Sequence, residues 1–303
     1  MANPYWWLLD IFFVLIAVSI IVSCAKKGMT KVLVFSIGYL IASILASVVS
    51  VVAAPTLYET MARDTNLEVF LKVDSDINIE ACFKKTLDTQ KWGAEFKADD
   101  ILTIIRSKHE KNFDIRLYEY VEDRCGYSPC TQYNFKQYLT EAFIAEYGGM
   151  LHEKLPNYVS ANFTERMQNE PSLINMVLDE YYRLPQDTKR TAAYMEDSFG
   201  KDPTIESYQI FIYVIVFSLL MIITGVISHS LEYRIFFNIL DGTDHFLGTL
   251  LGLVQAAMVL ILLTLVVRLL VLLGGGEIWM FNKESIDRTY IFKYLYNQLE
   301  FLV

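Results

Sequence analysis

The chain has 303 residues, of which 53% are apolar and 20% charged, with a formal net charge of −9. Those proportions do not fit one soluble domain, but they fit apolar spans flanking a polar segment. Residues 55–207 hold 18 of the 26 Lys and Arg and 27 of the 35 Asp and Glu, so the whole net charge sits there and argues against nucleic acid as a partner.

Trp6 to Ala25 reads as the first membrane span, opened by Tyr5, Trp6 and Trp7 at the level of an interfacial aromatic belt. Met1 to Leu9 carries no Lys or Arg, so the positive start of a secretory signal is missing and the span is expected to stay uncleaved. Asp10, one turn inside, reads as an interfacial acid that snorkels. A basic turn follows at Lys26, Lys27, Gly28 and Lys31. Val32 to Ala54 forms the second span, which Pro55 is expected to end. Gly38, Ala42, Ala46 and Ser50 recur every four residues in it, making a small-residue face for close helix packing.

Residues 56–207 show helical patterns rather than strands. Candidate helices run from Asp100 to Asn112 and from Phe135 to Leu155, the latter kinked or interrupted at Gly148-Gly149. Another runs behind Pro171, with Leu173, Val177, Tyr181 and Leu184 in helical register. Met61 to Ala98 has weaker periodicity and reads as a hairpin or loop. Cys82, Cys125 and Cys130 leave room for one disulfide, and the short Cys125–Cys130 loop is its candidate, open at the sequence level.

Asp202-Pro203 resembles an N-cap followed by proline in the first turn. The helix so started is expected to cross the membrane over Ser207–Ile227 and continue along its surface to Leu240. In the fourth span, Phe246 to Val267 is a 22-residue run without a charge, and Gln255 is its only strongly polar side chain. It is long enough to cross the roughly 30 Å bilayer core. Gly248, Gly252 and Ala256 form a second small-residue face, expected to pack on the first. Arg268 is expected to snorkel outward. After Gly274–Gly276 the tail reads as an amphipathic helix, interfacial or docked on the bundle.

Enzyme signatures are missing: there is no GxSxG, HExxH, phosphate-binding loop or GxGxxG. The expectation is a non-catalytic chain with no cofactor and no metal. Asp241, Asp244 and His245 are read as the capped start of the fourth helix rather than a metal site, and Gln255 as an interhelical hydrogen bond. Lys26, Lys27, Lys31 and Arg234 mark the two short loops as cytoplasmic, which places both termini and the 55–207 domain outside.

The order Trp-Leu-Leu-Asp10, apolar run, Lys27-Gly28 and small-residue helix resembles the start of the colicin V production protein (CvpA) family. Asp244-His-Phe-Leu-Gly248-Thr-Leu-Leu-Gly252 is similar to that family's turn into its last helix, and Ser285 to Tyr296 to its closing segment. His245 stands where the family has arginine, and the 55–207 insert is much longer than the family's connection. The resemblance covers about 6–58 and 210–298 and implies a bacterial inner-membrane protein linked to toxin production or export and to envelope homeostasis.

The fold expected is thus an all-α membrane protein: a hairpin over 1–54, a mostly helical extracytoplasmic domain over 55–207, a second hairpin over 208–273 and an amphipathic tail over 274–303. Its partners are expected to be the lipid bilayer and a membrane protein or a second copy of the chain. The leading reading is a scaffold or accessory factor. A channel formed by oligomerisation and a sensor using the 55–207 domain are the alternatives.

Overall fold

A computed structural model describes residues 5–27, 29–107, 110–182, 188–231, 241–274 and 281–299. Among them every regular element is helical and none is a strand, and four helices are long and apolar enough to cross a membrane. The chain divides into two units, Met1–Tyr58 with Ile205–Val303, and Glu59–Thr204.

The first unit holds helices α1 (Trp7–Lys27), α2 (Met29–Leu57), α12 (Lys201–Leu231) and α13 (Asp241–Gly274), then the short α14 (Lys283–Asp287) and α15 (Phe292–Gln298). Helix α13 packs against both α1 and α2. A Cβ at Gly252 would lie 2.8 Å from Cys24 Cβ and 3.2 Å from Ile21 Cα, so the α1 backbone comes as close as glycine permits. The α2 side of the contact is polar: Ser36 donates to Leu251 O (3.4 Å) and Gln255 Nε2 to Val32 O (3.4 Å).

The two small-residue faces therefore turn to different partners. Gly38 meets α12, where a Cβ would lie 2.1 Å from Thr224 Cγ2. Ala42 and Ala46 are buried with Ile210, Tyr213 and Phe217 of that helix and Leu265 of α13. Helical geometry explains the split. Ser36 and Gly38 lie about 200° apart around α2, so Gly38 turns away from the face that Ser36 presents to α13, while Ala42 and Ala46 meet both α12 and Leu265 of α13.

The second unit comprises α3 (Arg63–Asp76), α4 (Ile79–Thr89), α5 (Ala98–Arg106), α6 (Phe113–Cys125), α7 (Gln132–Phe143), α8 (Gly149–Lys154), α9 (Asn157–Asn169), α10 (Leu173–Met176) and α11 (Thr188–Met195). Four π-helical turns are interspersed, at Tyr58–Ala62, Ile144–Gly148, Val177–Tyr182 and Glu196–Gly200. The 61–98 stretch is mostly two helices, not a hairpin or loop. Its helix α4 is opened by Asn78, whose side chain accepts from Ala81 N–H (2.9 Å). The expected helix from Asp100 to Asn112 stops at Arg106, and the interruption foreseen near Gly148-Gly149 takes the form of a π turn.

Both prolines expected to mark helix boundaries lie inside helices. Pro55 sits within α2, and a π-helical turn follows directly at Tyr58. Asp202-Pro203 does not start α12, because the chain is already helical from Thr188 onward. Pro203 lacks the N–H that would serve the carbonyl of Phe199. Asn162 Nδ2 serves it instead (3.0 Å), while Thr204 Oγ1 donates to Gly200 O (2.6 Å). The partner that lets the proline sit in the helix comes from α9, far away in sequence.

Candidate functional site

Two buried carboxylates stand out, one in each unit. Asp10 is 9% exposed and does not snorkel. Its Oδ2 accepts from Tyr290 N–H (2.7 Å), and its Oδ1 from Ile291 N–H (3.0 Å) and Phe292 N–H (2.8 Å). Thr289 Oγ1 takes the next amide, Lys293 N–H, at 2.8 Å. The amides at the start of α15, which a helix leaves unpaired, are all satisfied. Phe13 then packs on Phe292 and Trp6 on Tyr290, with ring centroids 4.4 and 5.3 Å apart. The tail is docked as two short helices, with Ile286 and Phe292 buried while Ile291 and Tyr294 face outward.

Arg268 is likewise buried rather than snorkelling. Its Nη2 donates to Glu206 Oε1 (3.0 Å), and its guanidinium lies over the Tyr296 ring. A partly exposed acid and an aromatic face hold the guanidinium within the bundle.

The other sequence candidates distribute as follows. Gln255 is an interhelical link, accepting from Cys24 Sγ (3.0 Å). His245 Nδ1 lies 2.7 Å from Ala25 O, tying the start of α13 to the last turn of α1. Asp244 is half-buried in the first turn of α13, Gly248 and Ala256 are buried, and Lys27 is exposed at the end of α1. Ser50 is buried and donates to Ser47 O (2.9 Å). Gly28 and the side chains of Lys31, His229, Arg234 and Asp241 lie outside the described residues. Among the described residues no three His, Cys, Asp or Glu side chains converge on one point.

Cys125 and Cys130 are free thiols and no bridge joins them. The turn closes without sulfur: Gly126 at φ +75° ends α6 with its N–H on Glu122 O (2.8 Å), Ser128 donates to the Glu122 carboxylate, and Tyr118 OH donates to Cys130 O (2.5 Å). Burial pushes both thiols up, so neither is a thiolate at neutral pH.

The second carboxylate, Asp74, was not singled out by sequence. It lies in the last turn of α3, on the buried side with Asn66, Phe70 and Val73. Its Oδ1 accepts from both Tyr147 OH (2.9 Å) and Tyr182 OH (2.5 Å). Each tyrosine comes from a π-helical turn, a distortion often found at functional sites. Phe143, Tyr147 and Phe163 form an aromatic core beside it, with centroids 5.1–5.9 Å apart. Burial in these surroundings raises the Asp74 carboxyl to about 6 against the pull of its two hydroxyl donors. Burial and neighbouring charge push Tyr147 and Tyr182 well above the ordinary phenol value, so both remain donors. The Asp74 Oδ2 is buried and has no partner among the described residues.

Asp74 lines a cleft of about 360 Å³. Ile77, Ile79, Leu102 and Ile105 give it an aliphatic wall, and Glu80 and Arg106 are its other charged lining residues. The α5 wall is fixed from behind by Arg116. Its guanidinium donates to the carbonyls of Ile104 and Ser107 at the end of α5, and to Asp179 Oδ1 (2.5 Å) in the π turn that carries Tyr182. Asp179 Oδ2 accepts from Phe113 N–H (2.8 Å) at the start of α6. One buried cation and one acid thus hold the cleft wall, α6 and the tyrosine-bearing turn together.

The sequence signal for this site was an acid in core register, at Phe70, Val73 and Asp74. No protein-family model, no curated protein and no solved structure matches the chain.

Proposed function

We propose that this chain is a non-catalytic membrane scaffold or accessory factor of the colicin V production kind, with residues 55–207 outside the cytoplasm. The observation that carries the reading is how the polar groups of the spans are used. Gln255, Cys24, Ser36, Ser43 and Tyr213 all bond to another helix, Ser43 to Tyr213 at 2.8 Å. A transport path would need polar groups turned to a water-filled cavity. These are turned to neighbouring helices, as in a bundle made for assembly.

The test is crosslinking and pull-down from native membranes of the wild type and Gly252→Leu. The leucine cannot fit against the α1 backbone without displacing it, at a cost of about 1–3 kcal/mol. Loss of abundance and of the captured partner or second copy is the expected result. An unchanged detergent-stable complex would refute it, and ion flux in reconstituted vesicles abolished by Gln255→Leu would favour a pore instead.

The cleft at Asp74 favours a second, compatible reading, in which the Glu59–Thr204 unit senses a small ligand for the scaffold. A cleft with an aliphatic wall, a few polar groups and a perturbed carboxyl is a candidate for a binding site. A thermal-shift screen of the full chain in nanodiscs tests it, and the absence of any stabilising compound would remove it.

A further inference from the structure

We propose that the Asp74 cleft binds a small primary ammonium with an aliphatic body, the chemistry shared by alkylamines and aliphatic amino acids. The proposal rests on the sensor reading and names its ligand class. It starts from an imbalance. A carboxylate offers about four acceptor sites on its two oxygens. Among the described residues the donors, Tyr147 OH and Tyr182 OH, both fall on Oδ1, and none reaches Oδ2. A buried acceptor without a donor costs free energy, and such groups are completed by water, an ion or a ligand.

The lining residues say which ligand. Among the described lining residues Asp74 and Glu80 supply two acids against the one base Arg106, so a cation is favoured over an anion. The acceptors Asp74 and Glu80 call for a donor-rich head, and an ammonium has three N–H. Ile77, Ile79, Leu102 and Ile105 match an aliphatic body, and the volume of about 360 Å³ suits a molecule of amino-acid size. Asp74 lines the cleft with Oδ2 buried, so a ligand engages it by turning the carboxyl, and the rotatable hydroxyls of Tyr147 and Tyr182 follow Oδ1. Arg106 is exposed at the rim, where it would meet the carboxylate of an amino acid and leave an alkylamine untouched.

Titration gives the sign of the pH dependence. Among the described residues Asp74 meets the hydroxyls of Tyr147 and Tyr182, with Glu80 and Arg106 also lining the cleft, and burial raises its carboxyl to about 6. An ammonium requires the ionised carboxyl, so affinity falls as pH drops through 6.

The experiment is calorimetric titration of the full-length chain in nanodiscs with isoamylamine and with L-leucine, at pH 7.5 and pH 5. Saturable binding of at least one probe is expected. It should weaken at pH 5, fall about tenfold or more in Asp74→Asn, and be lost in Leu102→Trp, which fills the cleft and leaves the carboxyl intact. If Asp74→Asn fails to fold, Leu102→Trp and the pH series decide. Leucine binding weakened by Arg106→Gln with isoamylamine unaffected identifies the amino acid as the source. Isoamylamine binding without leucine binding identifies the amine. Binding unchanged in Leu102→Trp, or no saturable binding of either probe, overturns the proposal. In the latter case acetate and neutral sugars are titrated next. Binding blocked by Leu102→Trp leaves the sensor reading standing with a different ligand class, and no binding of any probe removes both.

Discussion

Asp10 and Asp74 are both more than nine-tenths buried, and each accepts hydrogen bonds from groups distant in sequence. Their shells differ in one respect. Asp10 spreads three backbone amides over both oxygens, while Asp74 receives two hydroxyls on one oxygen and, among the described residues, no donor on the other. The donors differ in kind as well. Amides at a helix start are fixed by the fold and available only to something that holds that helix. Tyrosine hydroxyls rotate and can be shared. A saturated carboxylate closes a structure, and an unsaturated one leaves valence for something else. The contrast separates the clamp of the membrane-spanning unit from the proposed binding site of the other unit.

Asp10→Ala should have the largest effect. It strips three charge-assisted hydrogen bonds from the start of α15, at a cost of about 4 kcal/mol for the docked tail. The expected outcome is rapid tryptic cleavage at Arg288 and Lys293 in detergent and a lowered melting temperature. Asp10→Asn keeps an acceptor oxygen and should fall between. A tail as protected in Asp10→Ala as in the wild type would break the comparison, because Asp10 would not then be the clamp.

Asp74→Asn comes next, through pH. The wild-type carboxyl titrates near 6 when folded, against 3.8 ordinarily. Between those values the native state holds a proton that the unfolded chain has released. The ionisation penalty is therefore fully present above pH 6 and relieved as pH falls toward 4, about 3 kcal/mol across the whole window. Other acids titrate too, so the quantity to measure is the stability of the wild type minus that of Asp74→Asn. That difference should move against the wild type by about 1 kcal/mol between pH 5 and pH 7 in denaturant unfolding of the full chain. A flat difference would mean that Asp74 is not held in an unsatisfied state.

Neither carboxylate's role could be read from the sequence, although the spans around Asp10 could. Hydropathy is a local quantity, so four long apolar helices were visible in it. The partners of Asp10 lie 280 residues away, and an acid one turn inside a span looks the same whether it meets water or a helix start. Small-residue spacing likewise shows that a face packs closely, not on what, which is why Gly38 was paired with the wrong helix. Pro55 and Pro203 look like boundaries in the sequence because a proline's cost is local, while its remedy, such as Asn162 at Phe199 O, is not. Asp74 was missed for a related reason. The register of Phe70, Val73 and Asp74 is apolar only in part, so the 61–98 stretch has weak periodicity and reads as a hairpin or loop, with no helix face to bury an acid.

Tyr182→Phe is the smallest and most discriminating change. It keeps the ring beside Phe143 (centroids 6.4 Å apart) and removes only the hydroxyl. Tyr147 still donates to Oδ1, so Asp74 goes from half-satisfied to quarter-satisfied, and losing a donor that favours the ionised form moves its titration upward. At pH 7 the variant should lose about 1 kcal/mol, and less at pH 4, where the wild-type carboxyl is already protonated. The same substitution should weaken ammonium binding at pH 7.5, since more of the carboxyl is neutral there. If instead stability falls equally at both pH values, the hydroxyl serves packing alone. Asp74 would then resemble Asp10, a carboxyl whose work is finished within the fold.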